Sequence, residues 1–311
     1  MELDIVNFAA LESQKDILRA ALFNKGIVGV QGVPNYVEAC QSYIIAARQF
    51  AALHDDTKKR YAPDRDKGFT EGYELGAEWF QDEKGEWQID DKKASFYAHV
   101  PDDPRNPWPS EVDMKTSYLA LGQIMFDAGK CVMDAIGLNE TMGLTHKHLT
   151  GFGRMLHYLK QADTHGKNPN WCGGHYDHGI FTALMPAYYF QNGVLIEEPS
   201  EAGLYIIPTG KHDYEKIHAS DRSILLFQVG EFGQLISNDG IRATKHLVRK
   251  AQGNVERFTL ALFIDPDLHM VIRSSSELAK DARYAHHQNI DASISYHAWE
   301  QASYERYRAI V

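Results

Sequence analysis

Three residues, His175, Asp177 and His246, constrain the fold of this chain more than any other feature. In an extended strand, residues two apart point to the same side, so His175, Asp177 and Gly179 face one way and Tyr176, His178 and Ile180 the other. His178 is therefore the poorer ligand candidate. The same period over Val255–Ile264 puts Arg257, Thr259 and Ala261 on one face, and Phe258, Leu260, Leu262 and Ile264 on the opposite one. Polar groups inside and an apolar layer outside suit a barrel that encloses a site.

Two imidazoles and one carboxylate can hold one face of an Fe(II) ion and leave the other positions open for O2 and an oxo-acid. An HxD triplet alone says little in a chain with 15 histidines. Here it is followed by a strand-end histidine and, eleven residues later, by Arg257-Phe258-Thr259. Four elements then agree in order and in strand phase, and together they predict an oxygenase.

Composition narrows the alternatives. A net charge of −10 argues against a nucleic-acid backbone as partner, because binding phosphate needs a basic surface. The local exception, Lys58-Lys59-Arg60 with Arg65 and Lys67, is interleaved with Asp55, Asp56, Asp64 and Asp66 and reads as a solvated helix end and loop. With 44% apolar and 24% charged residues, the chain can bury a full core. Cys40, Cys131 and Cys172 cannot all pair and lack CxxC spacing, which favours a reducing compartment. Cys172, three residues before His175, reads as structural, and Cys40 falls on an apolar helix stripe. The first residues lack a signal-peptide pattern and no segment reaches the ~18 apolar residues of a membrane span. A cytoplasmic monomer acting on a small molecule, without nucleic-acid or membrane partners, is expected.

Several motifs resemble the isopenicillin N synthase-like branch of the Fe(II)/2-oxoglutarate-dependent oxygenases. The HxDxGxxTxL pattern of that family is matched by His175, Asp177, Gly179, Thr182 and Leu184. Its GGLxV and NxGD strands resemble Ala202-Gly203-Leu204-Tyr205-Ile206 and Gln228-Val229-Gly230-Glu231. Its TNG and HRV resemble Ser237-Asn238-Asp239 and His246-Leu247-Val248, and its RxS resembles Arg257-Phe258-Thr259. Near the start, residues 25–34 are similar to its GFFxVxNHGIP stretch. The resemblance covers about residues 3–268 and implies His175, Asp177 and His246 as iron ligands. It implies Arg257 and Thr259 for the distal carboxylate of 2-oxoglutarate, with Tyr158 as a further contact to the oxo-acid. Leu156 stands where the family has asparagine, Leu247 where it has arginine, and Asp239 where it has glycine. The implied activity is a dioxygenase coupling oxidative decarboxylation of 2-oxoglutarate to hydroxylation, desaturation or cyclisation of a small organic molecule. An Fe(II) oxidase that does not use 2-oxoglutarate, or a non-catalytic ligand-binding relative, would keep much of the same pattern.

The resemblance also implies a mainly β protein, a double-stranded β-helix (jelly roll) with eight strands in two sheets, buttressed by N-terminal and C-terminal helices. One compact domain over 1–311 is expected. It divides into an N-terminal region 1–150 with a substrate-side loop at 63–109, a core at 151–268 and a helical tail at 269–311. Ser13 and Asp16 suggest a capping box ahead of a helix with Ile17, Leu18, Ala21 and Leu22 on one face. A second helix carries Val37, Cys40, Ile44, Ala47 and Phe50, and the longest runs from Ser110 to Ile136. The 68 residues between Asp177 and His246 suggest long loops at Gln191–Ala202 and Lys211–Asp221. Ser276–Ala282 and Ala292–Val311 read as helical, with Trp299, Tyr304 and Tyr307 as docking aromatics. Glu71, Tyr73, Trp79, Phe80 and Arg154 are candidates to line the substrate pocket. A small organic acid, amino-acid derivative or secondary metabolite suits so narrow a barrel.

Overall fold

The structure is a computed structural model describing residues 1–81, 86–89, 91–138, 148–160, 169–219, 221–281, 288–289 and 291–307. The chain opens with β1 (Ile5–Asn7), α1 (Lys15–Asn24), β2 (Ile27–Gln31), α2 (Tyr36–Ala51) and the short α3 (Asp55–Lys59). Leu18, Ala21 and Leu22 are buried as their spacing requires, but Ile17 is exposed. The expected capping box does not form, because Gln14 is the N-cap and the Ser13 hydroxyl donates to the Ala10 carbonyl instead. In α2 the buried stripe is Cys40, Ile44, Ala47 and Phe50 together with Tyr36 and Tyr43, whereas Val37 faces outward.

The stretch 63–109, expected as a loop, is in large part sheet. It holds β3 (Gly72–Leu75), β4 (Trp79–Gln81), β5 (Trp87–Ile89) and β6 (Lys93–Val100). Helices bury Ala94, Phe96, Ala98 and Val100 of β6, and Lys93, Ser95 and Tyr97 on the alternate positions are buried too. The period-two alternation of Ala94, Phe96, Ala98 and Val100 with Lys93, Ser95, Tyr97 and His99 is present in the sequence, and the surrounding Gly, Asp and Pro residues masked it in the loop reading.

Helix α4 (Met114–Ala135) starts at Asp113, whose carboxylate accepts the Thr116 N–H at 3.3 Å. It buries Met125, Val132 and Met133, while Leu119 and Ile124 are half-buried. The strands that follow are β7 (Leu149–Tyr158), β8 (Asn170–His175), β9 (Phe181–Leu184), β10 (Tyr188–Gln191), β11 (Val194–Ile196), β12 (Gly203–Ile207), β13 (Glu215–Lys216) and β14 (Leu225–Val229). Helix α5 (Glu231–Ile236), β15 (Lys245–Arg249) and β16 (Val255–Pro266) complete the core. Part of the long separation between Asp177 and His246 is thus a hairpin, β10–β11, turned by Asn192 and Gly193 at positive φ, and β13 interrupts the second expected loop.

One sheet runs β1-β2-β14-β9-β16-β7-β6-β3, with β10 also on β16 and β11 on β10; the other runs β13-β12-β15-β8. Together they form the jelly-roll core, flanked by the helices. Phe258, Leu260, Leu262 and Ile264 join the cluster made with α1, α2 and α4, while Ala261 belongs to the cluster between the sheets with Leu156, Tyr158, Trp171 and Tyr189.

The tail holds β17 (Val271–Arg273), a 3-10 turn at Glu277–Lys280, β18 (Ser293–Ser295) and α6 (Tyr296–Tyr307). Residues 292–295, expected as helix, contain a strand because β17 offers an antiparallel partner. Trp299 is fully buried, 6.4 Å from the Phe232 ring. Ala282, residues 308–311 and the side chains of Phe80, Tyr304 and Tyr307 lie outside the described residues. No helix among the described residues is long and apolar enough to cross a membrane.

Candidate metal centre and its cavity

Strand β8 ends at His175, so Asp177 is not a strand residue as the period-two reading supposed. Backbone amides at the start of α5 hold it instead. The N–H groups of Glu231, Phe232 and Gly233 donate to the carbonyls of Asp177, His178 and Gly179 at 2.8, 3.0 and 3.2 Å, and Gly230 N–H donates to Ile180 at 3.0 Å. The two segments approach so closely that only glycine fits at 230, and glycine at 179 leaves room for the Asp265 side chain of β16. A Cβ on Gly179 would lie 1.9 Å from Asp265 Oδ1, and one on Gly230 would lie 2.2 Å from the Gly179 carbonyl oxygen. The GxxT and GE portions of the two motifs are thus halves of one contact.

His246 lies on β15 directly opposite His175 on β8. Their Nε2 atoms are 3.8 and 3.7 Å from Asp177 Oδ1, and one ligand atom from each of the three residues lies within 4.8 Å of the others. Each imidazole is oriented by a backbone carbonyl: His175 Nδ1–H donates to Gly173 at 2.8 Å and His246 Nδ1–H to Thr244 at 3.1 Å. That places the His175 proton on Nδ1 and leaves its Nε2 lone pair for a metal, and His246 offers its Nε2 in the same way when Nδ1 carries the proton. Thr182 donates to Asp177 Oδ2 at 2.6 Å, and the Gln228 amide nitrogen lies 3.2 Å from that oxygen and 2.7 Å from His246 Nδ1.

Electrostatics favour the ligand forms. Burial and the neighbouring His175 ring pull His246 down to about 4, and burial also lowers His175. Burial works against the Asp177 carboxylate, but both histidines and the Thr182 hydroxyl outweigh it and hold the group below its ordinary value.

The three residues line a cavity of about 80 Å³ between the sheets. Its floor is a grid set by strand register. Lys93, Tyr158 and Arg257 form one row across β6, β7 and β16; Ser95, Leu156 and Thr259 the next; Tyr97, Arg154 and Ala261 a third. Arg257 Nε donates to the Tyr189 hydroxyl at 3.2 Å, but Nη1 is buried without a hydrogen-bond partner. Tyr158 lies under this guanidinium, 4.8 Å from ring centre to Cζ, and burial pushes its phenol up to about 12. The Thr259 hydroxyl donates to the Met185 carbonyl. All six residues singled out from the sequence, His175, Asp177, His246, Arg257, Thr259 and Tyr158, therefore meet in one cavity.

The pocket candidates divide. Arg154 lines the cavity, donating to Glu78 at 2.9 Å and to Ser95 at 3.0 Å. Glu71 lines a second cavity of about 460 Å³, which shares Phe263 with the first. Tyr73 is a core residue edge-on to Phe50, and Trp79 is half-buried and lines neither cavity. Sequence reading missed Lys93, whose ammonium lies 2.7 Å from Glu78 and 3.4 Å from Cys172 Sγ. It also missed Gln228 as a partner of the centre. A lone amide in the apolar strand Leu225–Val229 was the available signal.

The chain shares its fold with solved 2-oxoglutarate and iron oxygenases. It aligns with a 2OG-Fe(II) oxygenase family protein from Caulobacter crescentus at 19% identity, covering 98% of both chains with a TM-score of 0.74. A full-length Neurospora crassa protein in complex with alpha-KG and thymine aligns at 17% identity, over 97% of each chain, with a TM-score of 0.69. JOX2 in complex with 2OG, Fe and JA aligns at 16% identity, over 97% of this chain and 85% of that one, with a TM-score of 0.71. No family model and no curated protein matches the sequence.

Proposed function

We propose that the protein is a non-haem Fe(II)- and 2-oxoglutarate-dependent dioxygenase of the isopenicillin N synthase-like branch, acting on a small organic molecule. One observation carries this reading: two oriented imidazoles and a carboxylate share a cavity with a buried guanidinium whose Nη1 has no partner. A buried cation short of a partner is costly unless a ligand completes it, and a carboxylate matches the planar fork of arginine. The donor set fits the metal as well, since two nitrogens and one oxygen suit Fe(II) with open positions. The Neurospora crassa complex with alpha-KG and JOX2 with 2OG and Fe support the same pair of cofactors by analogy of fold.

In this reading His175, Asp177 and His246 would hold Fe(II), and Arg257 would bind the distal carboxylate of 2-oxoglutarate beside Thr259 and Tyr158. Thr259 would turn its proton from Met185 toward that carboxylate. Bound there, Fe(II) would supply O2 activation, with one oxygen atom going to succinate as 2-oxoglutarate loses CO2 and the other oxidising a substrate C–H bond, ending in hydroxylation, or in desaturation or ring closure with release of water. Thr182 and Gln228 keep the Asp177 carboxylate aimed, and Leu184, Leu204, Val248 and Phe263 exclude water. Cys40, Cys131 and Cys172 are thiols without a disulfide, which fits a reducing, cytoplasmic setting.

Anaerobic addition of 2-oxoglutarate to the Fe(II) protein should produce a weak visible charge-transfer band that His175→Ala abolishes. Under air, labelled 2-oxoglutarate should give slow uncoupled succinate. A complete absence of succinate would favour the oxidase alternative.

A further inference from the structure

The second cavity, about 460 Å³, is built from a different chemistry than the first. Four carboxyl-bearing residues line it, Glu71, Asp103, Asp265 and Glu300. Against them stands one guanidinium, Arg105, already engaged with Asp103 at 2.8 Å and Glu71 at 3.4 Å. Glu71 also meets His99 at 2.5 Å. Asp265 is 7% exposed and its Oδ1 has no hydrogen-bond partner. Burial raises the Asp265 and Glu300 carboxyls to about 8 and about 7, and the Tyr296 hydroxyl beside Asp265 and the His99 ring near Glu300 offset it only in part. The cavity adjoins the metal centre, since Phe263 belongs to both cavities and His178 follows the ligand Asp177 directly.

Building on the oxygenase reading above, we infer that this cavity receives the substrate, and that the substrate carries a positively charged nitrogen, an amine or amidine, placed between Asp265 and Glu300. Its apolar body lies against Phe152 and Phe263 and reaches the metal past the latter ring. A cation there would supply the counter-charge that the two carboxyls lack, and the net charge of −10 favours its approach. An acid placed between the same two carboxyls would find no counter-charge there, which disfavours it.

Matched probes with one body test this: 2-phenylethylamine, 2-phenylethanol and 3-phenylpropionate, with a second set built on cyclohexane. Each is titrated anaerobically onto the Fe(II) and 2-oxoglutarate-loaded protein, read by saturation-transfer NMR and by the charge-transfer band. The amines are expected to bind about tenfold or more tightly than the alcohols and the acids. Glu300→Gln should remove most of that preference while alcohol binding persists, and Asp265→Asn should do the same. Equal or tighter binding of the alcohols or acids overturns the inference, as does amine binding that neither variant weakens, or no amine binding in either set. A wild-type protein that gives no charge-transfer band refutes the oxygenase reading itself. A normal band without amine preference refutes only this assignment.

Discussion

Asp177 is the most heavily supported side chain of the centre, and its supports are separable from the ligands. Thr182 donates to the oxygen that does not face the histidines. Thr182→Val keeps the shape, removes that donor and should weaken Fe(II) affinity about tenfold, with a stability loss near 1 kcal/mol. Metal titration beside thermal unfolding checks both. Arg257 behaves differently, because its Nη1 is buried and unpartnered. Arg257→Gln should leave Fe(II) binding intact, weaken 2-oxoglutarate binding about a hundredfold, and abolish the rise in Tm that 2-oxoglutarate gives the wild type. An unchanged response to 2-oxoglutarate would mean that another cation holds the oxo-acid. Arg257 and Thr259 were legible from strand phase, while His175, Asp177, His246 and Tyr158 were legible from motif order and resemblance rather than phase, since Asp177 lies beyond the end of β8. Lys93 was not, since its neighbours Glu78 and Cys172 come from separate segments.

Elements hold the site through backbone contact as much as through side chains. The start of α5 binds the carbonyls of residues 177–180, and this needs glycine at 230. Gly230→Ala should shift the Asp177 segment, cost about 1–3 kcal/mol and weaken Fe(II) binding, whereas a surface Gly210→Ala should leave metal binding unchanged. Both are read by metal titration and denaturant unfolding. Asp239 shows how a departure from a motif is accommodated. At φ 66° it occupies a glycine-like conformation, and its carboxylate accepts from Gln234, Ser276 and the Glu277 N–H, tying the tail to α5. The motif reading flagged the substitution, but its use depends on a segment 37 residues away.

Across the whole molecule, buried charge makes stability depend on pH. Asp265 is raised from 3.8 to about 8, first by burial and then by Glu300. The folded chain therefore keeps a proton that the unfolded chain releases above about pH 4, so the contribution is full below that value and is lost as pH rises through about 8. For the metal-free protein, Asp265→Asn should gain stability over wild type as pH goes from 5 to 8, by an amount of order 1–3 kcal/mol, measured by urea unfolding at each pH. A constant difference would mean that Asp265 ionises normally. The sequence by itself singled out His175, Asp177 and His246, which the structure brings together, the phase of Arg257 and Thr259, and the helical stripes around Leu18, Cys40 and Val132. Alternation and helical period are covalent consequences of backbone geometry. Only tertiary structure decided that Asp177 hangs from a helix start, and that Glu71, Asp265 and Glu300 share a cavity. Those outcomes depend on what packs against each segment from distant parts of the chain, which no local period encodes.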